Sequence, residues 1–497
     1  MARPRAKELA IHTRTLRQKN KDGTTSIIRA EYQYDYEMKN NKTLNQKVIG
    51  YLPAGSTNIE DMIPVENPKR GPKPGTRKKK KPEVKISVEN PLLEVKDPRD
   101  PDKIVYPSYL AYLVLMMCAG CGMSTSPQVA KFWEVHHEHL KKLFEDCPDR
   151  LISHDTVRDF YLLLGKTDFS GVIKAFNAMF LLEDGVMHEL EKMNSPEAME
   201  AFHRSIYALD GQAVRATKID AGSSHPKYTL SIYECSKEIV IGQELVDEKS
   251  NEIPKVREMV RCIDVSGGIL TADAMHCQTD FFQAAIDAGA DVCVQLKENQ
   301  KLTMEDVRTK FHSEKYNELV IEDNDDGVGH GRIERRFIRV LPGNVLDPEI
   351  LEKWPGLEDG CIAELRSTRV IGKLEKNDKS EEIRYYISTL EFKKEYIAKQ
   401  LLYVIRSHWK IENKLHWVLD VTFQQDMIHC KNIDFLKGRM ALNKLMYNFE
   451  TAVIRLLEKE RGHTVTRQSL KPIFTDVSYF LSMISKVCIG YNNGSIS

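Results

Sequence analysis

The chain lacks any apolar stretch long enough to cross a bilayer. Its longest such run, Tyr109 to Met123, falls short of the roughly 18 residues a span requires and predicts a core helix instead. The opening segment, MARPRAKELAIHTR, has no apolar block of the kind that directs secretion. A cysteine framework is also missing: the 10 Cys are scattered, which argues against a disulfide-stapled secreted scaffold and predicts reduced thiols in a cytoplasmic setting. One Cys-x-x-Cys pair, Cys118 and Cys121, lies inside the apolar run without a second pair, so packing accounts for it better than zinc does. Nor is there an excess of charge. Lys+Arg and Asp+Glu tie at 72 each, so no overall basic field exists and a nucleic-acid partner would have to be met by local patches.

What remains is the composition of a globular protein, 41% hydrophobic and 29% charged over 497 residues, enough for several units. Residues 1–60 predict a small β unit. Ser26 to Glu37 alternates apolar and polar residues, and Gln46 to Leu52 follows a polar turn, the pattern of a hairpin. Residues 61–100 form a basic Pro/Gly linker carrying Lys69, Arg70, Lys73, Arg77, Lys78, Lys79, Lys80 and Lys81. Proline and glycine oppose helix and like charges repel, so disorder is expected. Such an arm either tethers or tracks DNA phosphates by releasing counterions, and its Lys-Arg-Gly-Pro core resembles an AT-hook, which enters the minor groove.

Residues 101–200 read as helices, the third capped by Asp155 or Thr156, in an order that admits a helix-turn-helix. Within the second, His136, His137, Glu138 and His139 point to different faces and read as a solvated stripe. From 201 to 313 the texture changes to three meandering strands followed by strand–helix alternation, which predicts a mixed sheet with helices on its faces. Residues 314–392 read as a β-rich insertion, 393–450 as the last helices of the same core, and 451–497 as a helical tail. Asp323 to Gly327 looks like a calcium loop but lacks the glycine such a loop needs at its sixth position.

Three acids stand out. Asp210 is expected to end the first strand of the mixed sheet and Asp273 the fourth, where sites form in open α/β folds. Glu412 lies in a helix whose apolar positions Ile405, Trp409, Leu415 and Val418 predict a buried face; a carboxylate there needs a positive partner. If the two strands are neighbours and the helix crosses their ends, the three carboxylates share a site. They would repel one another unless hard divalent cations neutralised them, and a pair of such ions suits in-line phosphoryl displacement. The same residue types also cap helices and close turns, and Asp426 is a further candidate acid.

Several phrases resemble a family: ALDG at Asp210, TADAMHCQ at Asp273, GADVCVQLKENQ, GHGRIERR, YYISTL, and RSHWKIENKLHWVLDVTFQQD around Glu412. In order over roughly Asp97 to Asn448, they are similar to DDE transposases of the insertion-sequence group that includes the H-repeat-associated proteins. The resemblance implies an RNase H-like α/β fold, a mixed sheet with flanking helices and a β-rich insertion, preceded by the helical region and the N-terminal β unit. It implies Asp210, Asp273 and Glu412 as catalytic ligands of two Mg²⁺ ions, with Mn²⁺ as a substitute. The implied partners are double-stranded DNA, at the element's terminal repeats and at the target, and a second copy of the chain on that DNA, with no membrane role. Arg215, Lys297, Arg406 and His408 are the implied DNA contacts outside the basic arm. Related transposases carry Tyr, Arg and Lys around the last acid; here those positions hold Ile405, His408 and Leu419, while Tyr403 and Arg406 lie two residues earlier. A DNA-binding regulator without catalysis and a metal-dependent nuclease without strand transfer are the alternatives.

Overall fold

The computed structural model describes residues 12–19, 25–35, 40–52, 63–64, 97–167, 169–178, 202–218, 225–246, 252–329, 332–371, 378–430 and 432–489. The chain divides into two compact units, 1–82 and 83–497. The first contains the expected hairpin, β2 (Thr25–Asp35) with β3 (Asn40–Leu52). It is flanked by β1 (His12–Lys19) and β4 (Ile63–Pro64) in a four-stranded sheet of order β1-β2-β3-β4. β1 escaped sequence reading because its only aliphatic residue is Leu16, too few to mark an apolar face. The basic arm, Lys69 to Lys81, lies outside the described residues.

The second unit is built on a nine-stranded mixed sheet of order β10-β11-β12-β13-β9-β8-β5-β6-β7. The meander is β5 (Ile206–Val214), β6 (Lys227–Glu234) and β7 (Ile239–Val246). Parallel to β5 run β8 (Ile269–Ala272) and then β9 (Asp291–Leu296). Parallel neighbours need long crossovers, supplied by α5 (Glu252–Cys262) and α6 (Thr279–Asp287). After α7 (Lys301–His312) come the insertion strands β10 (Ile321–Gly329), β11 (Arg332–Pro342), β12 (Cys361–Ile371) and β13 (Asp378–Ser388), with α8 (Pro348–Lys353) between the second and third. The insertion is not a separate layer. β13 pairs antiparallel with β9, Ser388 opposite Cys293, and continues the same sheet.

Period-two alternation divides the sheet between two cores. Tyr207, Leu209, Leu270 and Val292 pack with Val256, Val260, Phe281 and Phe282 of α5 and α6 on one face. Ile206, Ala208, Ile269 and Cys293 face the other way, toward Leu401, Val404 and Ile405 of α9 (Ile397–Lys410). By the same alternation Asp210 and Asp273 belong to the α9 face. That helix continues through a π-turn, Ile411–His416, into α10 (Trp417–Val421). One expectation fails here: Trp409 is 49% exposed, because helical spacing groups residues on a face without saying what covers it.

The long helix α11 (Ile433–Arg461) backs this face, followed by α12 (Arg467–Leu470) and α13 (Val477–Ile489). Of the N-terminal helices, α1 (Ser108–Gly120) is buried on every side, as its unbroken apolar run predicts. Next come α2 (Ser126–Leu143), α3 (His154–Gly165) and α4 (Phe169–Ala178). His137 in α2 is not part of a solvated stripe. It is buried, accepts from the Trp133 indole and meets the Asp149 carbonyl. The cap of α3 is Ser153 rather than Asp155 or Thr156, its hydroxyl accepting from the Thr156 amide at 3.2 Å. α3 lies so close to α11 that a Cβ on Gly165 would overlap the Asp434 carbonyl, and one on Gly438 the Tyr161 carbonyl. Its apolar face, Val157, Phe160, Tyr161 and Leu164, is therefore taken up by packing.

Candidate active site

β5 does not end at Asp210, contrary to expectation. Its parallel pairing with β8 stops at Leu209 opposite Ala272, while its antiparallel pairing with β6 carries the strand on to Val214. Asp210 is thus the first residue beyond the parallel ladder, and Asp273 follows the last residue of β8, so the two acids leave adjacent strands at the same level. The Asp210 carboxylate is 12% exposed and accepts from the Gly211 amide at 2.8 Å.

Glu412 reaches the same place from the helix, within the π-turn, a wider turn that often marks functional sites. His416 stands between the acids: its Nδ1 is 3.5 Å from Asp210 and 3.4 Å from Glu412. One ligand atom each from Asp210, Glu412 and His416 lie within 4.8 Å of one another. Asp273 sits beside this group, its carboxylate 57% exposed and 3.7 Å from His408 Nε2. Charge places it close to the others, since it acts on both Asp210 and Glu412.

The carboxylates are poised unequally. Burial raises Asp210 well above the usual range, reinforced by its hydrogen bond to Glu412 and by the charges of Asp273 and Glu412. The hydrogen bond from His416 holds Glu412 down to about 2, against its partial burial. His408 is the main cause that lowers Asp273, with Lys297 and His276 adding to it. Burial and its acidic neighbours thus favour the protonated form of Asp210, while His416 favours the ionised form of Glu412. Oxygen donors from Asp210, Asp273 and Glu412 suit Mg²⁺ or Mn²⁺, and an imidazole beside them favours the transition ion. The site fits divalent ions.

Around this centre the implied DNA contacts take different positions. Arg215 is 81% exposed and is pinned by Asp426, which accepts from its backbone amide at 2.9 Å and lies 3.3 Å from its Nε. Asp426 is thus tied to an arginine. Lys297 lines a cavity of about 770 Å³ together with Asp273 and Arg384. Arg406 pairs with Asp325 of β10 at 2.8 Å, and His408 faces Asp273 rather than open solvent. Tyr403 packs its ring at a tilt against Phe202. The would-be calcium loop is simply β10.

Sequence reasoning passed over His416, although its signal was there: His408, Glu412 and His416 recur at four-residue intervals, one face of a helix. It also missed Gln212 and Gln425, which no motif marks. The Gln212 amide donates to the His416 carbonyl at 3.2 Å and its oxygen accepts from Gln425 at 3.2 Å, bracing the turn that holds the site.

Residues 201–449 match the family model described as the transposase DDE domain. The H-repeat-associated protein YhhI of Escherichia coli (strain K12), named as a transposase, is 28% identical over 382 residues, covering 75% of this chain and 91% of its own length. YncI of Escherichia coli O157:H7, also named as a transposase, is 31% identical over 261 residues, covering 50% of this chain and 64% of its own. YbfD of strain K12, another H-repeat-associated protein, is 25% identical over 243 residues, covering 47% and 87%. The family implies DNA binding and divalent metal ions, and among the described residues no helix is long and apolar enough to cross a membrane. With its matched segment spanning the strands and helices that converge on Asp210, Asp273 and Glu412, the chain belongs to the DDE transposase family.

Proposed function

We propose that this protein cuts DNA at the ends of its own insertion element and joins those ends to a target by two-metal phosphoryl transfer. The observation that carries the reading is the convergence of Asp210, Glu412 and His416, with Asp273 at the same level on the adjacent strand. Asp210, Asp273 and Glu412 would hold two Mg²⁺ ions, which supply Lewis-acid activation of a water or 3′-hydroxyl and charge stabilisation of the leaving oxygen. Arg215, Lys297, Arg406 and His408 would meet the DNA near the acids, Arg406 after exchanging Asp325 for a phosphate. Because two ends must be held together, the active form is a dimer assembled on DNA.

The test is a donor plasmid carrying the flanking terminal repeats, incubated with protein, Mg²⁺ and a target plasmid. Liberated 3′-hydroxyl ends joined to the target are expected. Cleavage without joining would make the protein a nuclease, and end binding with neither step would make it a regulator.

Metal binding has its own signature. Because Asp210 keeps its proton above the usual carboxylate range, loading the site must expel that proton. Affinity for Mn²⁺ should therefore rise with pH through that elevated range and level off above it. Calorimetry in two buffers of different ionisation enthalpy should register proton release; a buffer-independent heat would contradict a protonated Asp210.

The arm from Lys69 to Lys81 is proposed to track phosphates. Its removal should flatten the slope of log K against log salt by roughly 0.9 for each phosphate that the shortened protein no longer neutralises. An unchanged slope would exclude the arm from binding.

A further inference from the structure

β5 loses a neighbour at the level of the acids. Its parallel pairing with β8 ends at Leu209, so from Asp210 onward only β6 holds it within the sheet. On the face toward α9 a second set of contacts takes over. Asp210 and Gln212 both belong to that face, since alternate residues of a strand point the same way. Gln212, 8% exposed, donates through Nε2 to the His416 carbonyl at 3.2 Å, and its Oε1 accepts from Nε2 of Gln425, which is 1% exposed. Three residues further, Arg215 is held by Asp426. The segment from Asp210 to Arg215 is thus fastened at successive points to the segment from His416 to Asp426.

The second segment comes back to the strand through a constrained turn. α10 ends at Val421, and Gln424 takes the left-handed conformation at φ 52°, which residues other than glycine seldom adopt unless their surroundings hold them there. Gln425 and Asp426 follow directly and meet β5. The bridge also has a fixed direction. The His416 carbonyl can only accept, so the Gln212 amide presents its nitrogen there and its oxygen to Gln425. Neither glutamine can turn away without leaving a buried polar group of the other unpaired, which is costly.

These contacts join two halves of one site. Asp210 comes from the strand, Glu412 and His416 from the π-turn, and 204 residues of chain separate Gln212 from His416. Mg²⁺ requires its oxygen ligands at about 2.0–2.1 Å in nearly octahedral array, so two elements that share an ion must be held in register. We propose that Gln212 and Gln425 are positioning residues whose bridge sets the separation between Asp210 and the Glu412–His416 turn at the span a divalent ion needs. The proposal rests on the metal reading of the acids and adds the device that aligns them. Both glutamines act through Asp210, Glu412 and His416, as groups behind metal ligands commonly do.

The test uses the full-length protein with Mn²⁺ alone, the free ion being counted by its electron paramagnetic resonance signal. Gln212→Met and Gln425→Met should each weaken Mn²⁺ binding by roughly 10- to 100-fold, the usual effect of losing a group that orients metal ligands. The two losses should not add in the double variant, because either change breaks the same bridge. Gln212→Lys combined with Gln425→Glu should recover most of the affinity, the ammonium donating to the His416 carbonyl and to the new carboxylate. DNA cleavage by the Met variants should return at saturating Mn²⁺. A merely structural role would lower the melting temperature of the metal-free protein while the folded variants bound Mn²⁺ as tightly as wild type; that result would overturn the proposal, and so would fully additive losses. Unchanged Mn²⁺ affinity in the variants, beside a wild type that cuts and joins DNA, would sink this inference alone. Weakened Mn²⁺ binding beside a wild type that does neither would sink the transposase reading and leave the bridge standing.

Discussion

Asp273→Ala is expected to fold normally and to lose about a thousandfold or more of its DNA cleavage and joining. Charge stabilisation by a bound ion is worth several kcal/mol, and each 1.4 kcal/mol is about tenfold in rate. The side chain is 57% exposed and meets His408, so its removal leaves no cavity in the core. Asp210→Asn should be equally inactive for the opposite structural reason. Burial above all, with Glu412 and Asp273 adding to it, raises its pKa, so a neutral isostere suits the site as well as the acid does. That variant should match or exceed the wild type in thermal stability while losing Mn²⁺ affinity. Cleavage of the terminal ends by folded Asp273→Ala at the wild-type rate would remove Asp273 from the site.

The second large effect lies in the scaffold. Arg467 reaches the buried Glu450 at 2.9 Å, the Tyr447 carbonyl at 3.1 Å and the Thr451 hydroxyl at 2.6 Å, with its guanidinium 4.0 Å from the Tyr447 ring centre. Arg467→Ala would leave an uncompensated carboxylate in the core, at a cost of about 3–5 kcal/mol. Replacing both partners, Arg467→Met with Glu450→Leu, should recover most of it, because an apolar pair carries no desolvation penalty. Urea denaturation of the three proteins checks this, and an Arg467→Ala midpoint equal to wild type would refute it.

The pH dependence has a definite sign. Burial raises Glu450 from 4.5 to about 7 despite Arg467. Between those values the folded protein retains a proton that the unfolded chain has released. The contribution is complete below about 4.5 and is lost as pH rises through 7. Glu450→Gln should flatten stability across that window.

The parts of this molecule that sequence revealed are those with a local period or a family phrase. Alternation in Ser205 to Val246 and the helices between later strands specified a mixed sheet and put Asp210 and Asp273 near strand ends, while the pairing of β5 with β8 is what makes their strands neighbours. What stayed hidden depended on partners far away. The end of β5 is set by β6, so Asp210 stands inside a strand. The insertion strands read as a module of their own until β13, which begins at Asp378, met β9, which ends at Leu296. The exposure of Trp409 depended on what failed to cover it, and the π-turn at Glu412 has no distinctive composition. His416 was legible from spacing, but an imidazole beside a carboxylate is common on helices and gained meaning only from Asp210.

The order of the strands also sets an order of assembly during synthesis. The insertion is an antiparallel ladder of sequence neighbours, which closes quickly, whereas the β5–β8 pairing joins segments about 60 residues apart, Ile206 with Ile269, and forms more slowly. Glu412 follows, in sequence, all nine strands of the second unit's sheet. A nascent or prematurely terminated polypeptide that stops before it carries Asp210 and Asp273 without Glu412, so under the proposed function cutting would wait for the last fifth of the polypeptide.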